Sequence, residues 1–218
     1  MKSKSFALVL LTLGGAWQPS WSADLRVQVR NLDGLPLEDA VIYAEPLHKS
    51  AHSVGPLPRI TIDQVNRQFV PLVTVLRVGT EVSFPNSDNI RHSIYSFSPA
   101  KTFTTKLYSG RQAPPVIFDT PGLVVLGCNI HDAMAAWVLV VDTGYFSKSG
   151  ADGAGTLKDL EVGDYQLSVW YPGPRFEPVV LALHVGSEAL SREVKVDDSA
   201  SPLPALRARA KSQAATTP

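Results

Sequence analysis

The chain has 218 residues, 44% of them hydrophobic, and its 20 basic and 20 acidic residues cancel. That length suits one large domain or two small ones, each with a packed core. No basic stripe runs along it, which excludes nucleic acid as an expected partner. Cys128 is the single cysteine, so no internal disulfide can form. In an oxidising compartment such a thiol must be buried, paired between chains or bound to metal.

Residues 1–22 read as an export signal. Lys2 and Lys4 give a positive start, residues 6–17 are apolar, and Ser20-Trp21-Ser22 supplies small residues for cleavage near Ser22 or Ala23. The apolar run is shorter than the ~20 residues that span a bilayer. No later segment looks transmembrane. The mature protein is expected to be periplasmic or secreted, with no membrane attachment after cleavage.

Strand signals follow in order. Leu25-Arg26-Val27-Gln28-Val29 alternates apolar and polar, Asn31-Leu32-Asp33-Gly34 is a turn, and Ala40-Val41-Ile42-Tyr43 is the next strand. Residues 48–58 are rich in Ser, Gly, Pro and His and read as a linker. A second block, 59–142, holds many short strands, among them Val73-Thr74-Val75-Leu76, Glu81-Val82-Ser83-Phe84, Ser93-Ile94-Tyr95, Leu123-Val124-Val125-Leu126 and Ala136-Trp137-Val138-Leu139-Val140-Val141. Their even spacing predicts a sandwich or Greek-key barrel. Residues 97–115 read as an irregular excursion. In a third block, 143–197, Tyr165-Gln166-Leu167-Ser168-Val169-Trp170 alternates strictly and Arg192-Glu193-Val194-Lys195-Val196 is a last strand. Residues 198–218 lack an apolar period and read as a disordered tail. The fold class is all-β, with no long helix.

The chemistry lies in Gly127-Cys128-Asn129-Ile130-His131-Asp132-Ala133-Met134. A thiolate, an imidazole and a thioether recur every three residues just after an apolar strand, so one compact loop can offer all three to one ion. Soft sulfur with imidazole favours copper over magnesium or calcium. The fourth ligand must come from another strand, and His92, at a strand start, is the candidate. Asn86, six residues earlier, is expected to hydrogen-bond across to the cysteine loop and hold it. Singly, a cysteine is most often a small buried hydrophobe and a lone histidine a structural residue. Together, C-x2-H-x2-M after a strand with an upstream histidine is specific. His48, His52 and His184 read as linker or strand residues.

In order, Phe69-x-Pro71, Val78-Gly79, Val82-x-Phe84-x-Asn86, His92, Gly122 and Cys128-x2-His131-x2-Met134 resemble a cupredoxin over about residues 60–142, with a short ligand loop like that of amicyanin and pseudoazurin. The resemblance implies one type 1 copper ion, with His92, Cys128 and His131 equatorial and Met134 axial. It also implies His131 as the electron port, ringed by Ile130, Ala133 and Met134, where a redox partner protein docks. Asp132 and Gly127 depart from the pattern. A carboxylate at 132 bears on partner docking or potential, and glycine at 127 replaces a larger residue. A binuclear copper centre would need a second cysteine. The flanks, with Gly34-x-Pro36-Leu37 and Asp152-Gly153-x-Gly155-Thr156-Leu157, resemble a carboxypeptidase regulatory-like domain. One small Ig-like sandwich would then be made from residues 23–47 and 143–197, with the copper domain inserted. The whole chain is also similar to exported proteins labelled methylamine utilization protein, from which no substrate is taken.

With every ligand position filled by protein, electron transfer rather than enzymatic chemistry is expected, since catalytic metal sites keep a position open. Copper binding for trafficking, or a structural β protein without metal, remain the alternatives at this point.

Overall fold

The structure is a computed structural model that describes residues 22–48, 55–110, 113–173 and 177–216. The export signal, apart from Ser22, and most of the linker, including His52, lie outside these residues. The first half forms β1 (Ser22–Asn31), β2 (Val41–Pro46), β3 (Ile60–Thr61), β4 (Asp63–Val65), β5 (Gln68–Val70), β6 (Val73–Arg77), β7 (Thr80–Ser83) and β8 (Ile94–Ser98). Then come β9 (Lys101–Thr104), β10 (Val116–Phe118), β11 (Gly122–Cys128), β12 (Ala135–Val141), β13 (Tyr145–Lys148), β14 (Ala154–Glu161), β15 (Gly163–Trp170), β16 (Val179–Val185), β17 (Leu190–Val196) and α1 (Leu203–Thr216). The protein is nearly all β. Among the described residues, no helix is long and apolar enough to cross a membrane.

The middle of the chain builds a five-stranded sheet, β6-β12-β11-β8-β9, facing a three-stranded sheet, β10-β7-β3, with β4-β5 as a hairpin beside them. The ends of the chain pair with each other. β1 lies between β14 and β17, and β2 lies between β13 and β15, with β16 at the edge. The strands before residue 47 are therefore completed by strands after residue 143, and the middle sandwich interrupts them.

Two cores follow from this arrangement, and β12 belongs to both. Every residue of β12 after Ala135 is buried. Strand side chains alternate in direction. Ala136, Val138 and Val140 fill the middle core with Leu126, Phe84 and Phe118, while Trp137, Leu139 and Val141 fill the other core with Trp170, Tyr165 and Leu157. A strand covered on both faces reads as a continuous apolar run, which is how 136–141 appears in the sequence.

The tail departs from the expectation of disorder. Residues 203–216 form α1, and Leu203 is fully buried against the core made by the chain ends. The Ser201 hydroxyl accepts from the Leu203 N–H at the helix start, and Pro204 falls in the first turn, where its missing donor costs little. Arg207 pins the helix to Asp39 at 2.6 Å and to Glu38 at 3.1 Å. Tertiary contacts, rather than an apolar stripe, hold a helix this short. The stretch 97–115 is also more regular than expected, because β9 pairs with β8 and Tyr108 bridges His92.

Candidate metal centre

Strand parity brings the ligands to one end of the middle core. In β11, Val124, Leu126 and Cys128 point inward. Cys128 pairs with Ile94 of β8, and His92, two residues before Ile94, shares its inward direction. Met134 keeps the inward parity of Ala136 and Val138 in β12. The chain turns between His131 and Met134, where the Met134 N–H donates to the His131 carbonyl at 2.9 Å. Four candidate ligands thus arrive from two hairpin arms and one neighbouring strand.

His92, Cys128 and His131 form a group whose ligand atoms all lie within 4.8 Å of one another. Cys128 Sγ is 3.6 Å from His92 Nδ1, and the two histidine Nδ1 atoms are 3.3 Å apart. Three donors placed roughly 2.0–2.3 Å from one ion in a trigonal plane stand about 3.5–3.8 Å from each other. The donor set and its spacing therefore fit a single soft metal ion. Met134 is 2% exposed and shares the core with Cys128. His92 is fully buried and Cys128 is 2% exposed, whereas His131 is half-buried at the edge. Burial pushes the pKa of His131 down, the neighbouring His92 ring, Arg67 and Arg209 add to that shift, and Asp88 opposes it. A lowered pKa keeps the ring unprotonated and able to coordinate.

Asp88 is a functional residue that the sequence did not mark. Its Oδ2 lies 2.7 Å from His92 Nε2. A carboxylate only accepts, so Nε2 carries the proton and the neutral ring directs its Nδ1 lone pair at the site. Asp88 is held in turn by the hairpin tip between β4 and β5. Asn66 and Arg67 both adopt positive φ there, and their N–H groups donate to the Asp88 carboxylate at 2.5 and 2.9 Å. The signal was an aspartate four residues before the histidine in a polar loop, a spacing with no periodic meaning outside a helix.

Asn86 plays a different part from the one expected. Its amide donates to the carbonyls of Ile90 and Tyr108, both at 2.9 Å, and its Oδ1 accepts from Asp88 N–H at 3.0 Å. Both amide protons are spent on the His92 side, so Asn86 does not reach the cysteine loop; it shapes the loop that presents Asp88 and His92. The link to the cysteine loop comes instead from Asn129, which donates to Ser93 Oγ at 2.9 Å. Behind Asn86, Gln64 donates to the Tyr108 hydroxyl at 2.5 Å, and that hydroxyl donates to Phe84 O at 2.8 Å. Burial pushes the Tyr108 phenol up to about 12, so it stays a donor.

Of the expected docking residues, Ile130 is 48% exposed, Asp132 is exposed and Ala133 is half-buried. Met134 faces the core and is not part of the rim. Gly127 has a steric reason. A Cβ there would lie 2.5 Å from the Tyr95 ring, because Tyr95 is its cross-strand partner.

No family model matches the chain, and no curated protein matches it. Among solved structures the chain is similar to the Cu-containing nitrite reductase of Thermus scotoductus SA-01, with 27% identity, 45% of this chain and 26% of that chain covered, and a TM-score of 0.37. It spans about a quarter of that enzyme. It is also similar to a reduced Cu(I) amicyanin mutant, with 17% identity, 45% and 99% covered, TM-score 0.36. A third similar structure is the purple cupredoxin of Nitrosopumilus maritimus, with 24% identity, 38% and 98% covered, TM-score 0.33.

Proposed function

We propose that the chain is a mononuclear type 1 copper protein that carries single electrons in the periplasm or outside the cell. The observation that carries this reading is the convergence of Cys128 Sγ and a ring nitrogen from each of His92 and His131 within 4.8 Å. Copper bound there supplies a one-electron couple through a covalent thiolate bond. The chain's residues do the rest. Asp88 and the hairpin tip fix the His92 ring, and Asn129 ties the cysteine loop to Ser93. His92 and Cys128 are sealed from water. Met134, buried in the same core as Cys128, would offer its thioether as a further ligand. A frame held from so many sides keeps one geometry in both oxidation states, which favours fast exchange. His131 offers its outer edge to a partner.

The leader supports export, and the sandwich made by the chain ends is read as Ig-like. The test is voltammetry of the copper-loaded protein with a transfer assay beside it. One reversible electron per chain, with copper retained against an apo copper acceptor, is expected. Loss of copper to the acceptor without reversible electron exchange would replace electron carriage with trafficking.

A further inference from the structure

We infer that Arg67 and Arg209 form a cationic collar at the His131 edge and that the redox partner meets it with an acidic face, an inference that rests on the copper reading above. The two arginines come from elements far apart in sequence that the fold places together. Arg67 sits at the β4–β5 hairpin tip, and its N–H donates to Asp88 Oδ2 at 2.9 Å. That same oxygen touches His92 Nε2, so the tip lies against the outer side of the site. The next residue, Gln68, donates its side-chain amide to Leu206 O of α1 at 3.1 Å. Arg209 follows Leu206 by three positions and therefore shares its helix face. Both arginines are exposed, and both weigh electrostatically on His131. Asp88 opposes the arginines at His131, and its carboxylate is engaged by His92 and the hairpin amides, with a 9% exposed side chain. Asp132 is exposed beside them on the loop.

Ile130, exposed next to His131 in the chain, adds an apolar residue to an edge that two guanidinium groups reach from the hairpin and from α1. An apolar contact flanked by cations fits the face of a protein, because guanidinium forks match carboxylates in geometry. Without the leader, which holds Lys2 and Lys4, the chain is slightly acidic, so a preference for an acidic partner must come from such local arrangement.

The test uses cytochrome c as a probe in two forms, native and basic or succinylated and acidic, mixed with the reduced copper-loaded protein. One electron passes from the protein to the ferric haem, which becomes ferrous. The acidic form is expected to react faster at low salt, and its rate is expected to fall as salt rises. Arg209→Gln is expected to slow it about five-fold and flatten the salt dependence, with the visible copper spectrum unchanged; Arg67→Gln is expected to slow it likewise, with its copper affinity measured separately. A faster reaction with the native form, or variant rates equal to the wild type while the spectrum is intact, would overturn the collar alone. Failure to take up copper would overturn the copper reading, and the collar with it.

Discussion

The carboxylate of Asp88 gathers donors from two places, the His92 ring and the backbone of the 66–67 turn. It orients a ligand and anchors the loop that carries it. Asp88→Asn keeps the shape but loses the charge and presents a donor as well as an acceptor. Outer groups of this kind typically contribute 10–100-fold to metal affinity. We expect copper binding to weaken by about that factor, read by competition against a chelator of known affinity; an unchanged affinity would leave Asp88 only its backbone role. Gly127 makes a second residue-scale prediction. Gly127→Ala drives a methyl into the Tyr95 ring, and overpacking of this sort costs about 1–3 kcal/mol. Urea unfolding should show the loss, and Tyr95→Ala in the same chain should recover most of it. At this scale the sequence displayed three candidate ligands because one loop spaces them evenly, and His92 as a fourth candidate because it begins a strand. Asp88 and Asn129 stayed hidden because their roles depend on loop closure and cross-strand register, which leave no periodic trace. Asn86 was placed near the right neighbours but given the wrong partner.

Of the longer strands, β1 and β15 were legible from alternation, and β11 and β12 from their apolar runs. β4 and β5 were not, since three residues show no period and the turn between them is only Asn66-Arg67. The helix α1 was missed for a related reason. Its Ala, Arg, Leu, Lys and Gln favour helix intrinsically, but among its described side chains Leu203 and Leu206 are the large apolar groups packed against the body of the protein, so no stripe announces it. Its attachment rests on Leu203, the Arg207 ion pairs and the Gln68 bond. Leu203→Ala should therefore loosen the helix more than the strands. A buried Leu→Ala change costs about 2–5 kcal/mol in general. We expect faster hydrogen exchange confined to 203–216 and protease cleavage there; unchanged protection would mean the ion pairs alone hold the helix.

For the molecule as a whole, β12 ties two sandwiches into one unit by giving alternate residues to each core. Lys148 adds a polar tie, donating to Asp39 Oδ1 at 2.6 Å and to Val73 O at 2.7 Å. Trp170 reports on the core made by the chain ends, while Cys128 lies in the other core. Denaturant unfolding followed by tryptophan fluorescence and by copper absorption should give coincident transitions; separated midpoints would show that the two cores unfold independently. The sharing of β12 between two cores left no mark on the sequence blocks, because it depends on both sheets being in place. We propose that a single copper ion is held by His92, Cys128 and His131. The most direct measurement is the visible and electron-spin-resonance spectrum of Cu(II)-loaded protein beside Cys128→Ser. An intense thiolate-to-copper band at one copper per chain, lost in the folded variant, is predicted. No such band in the wild type, or the same band in the variant, would contradict it.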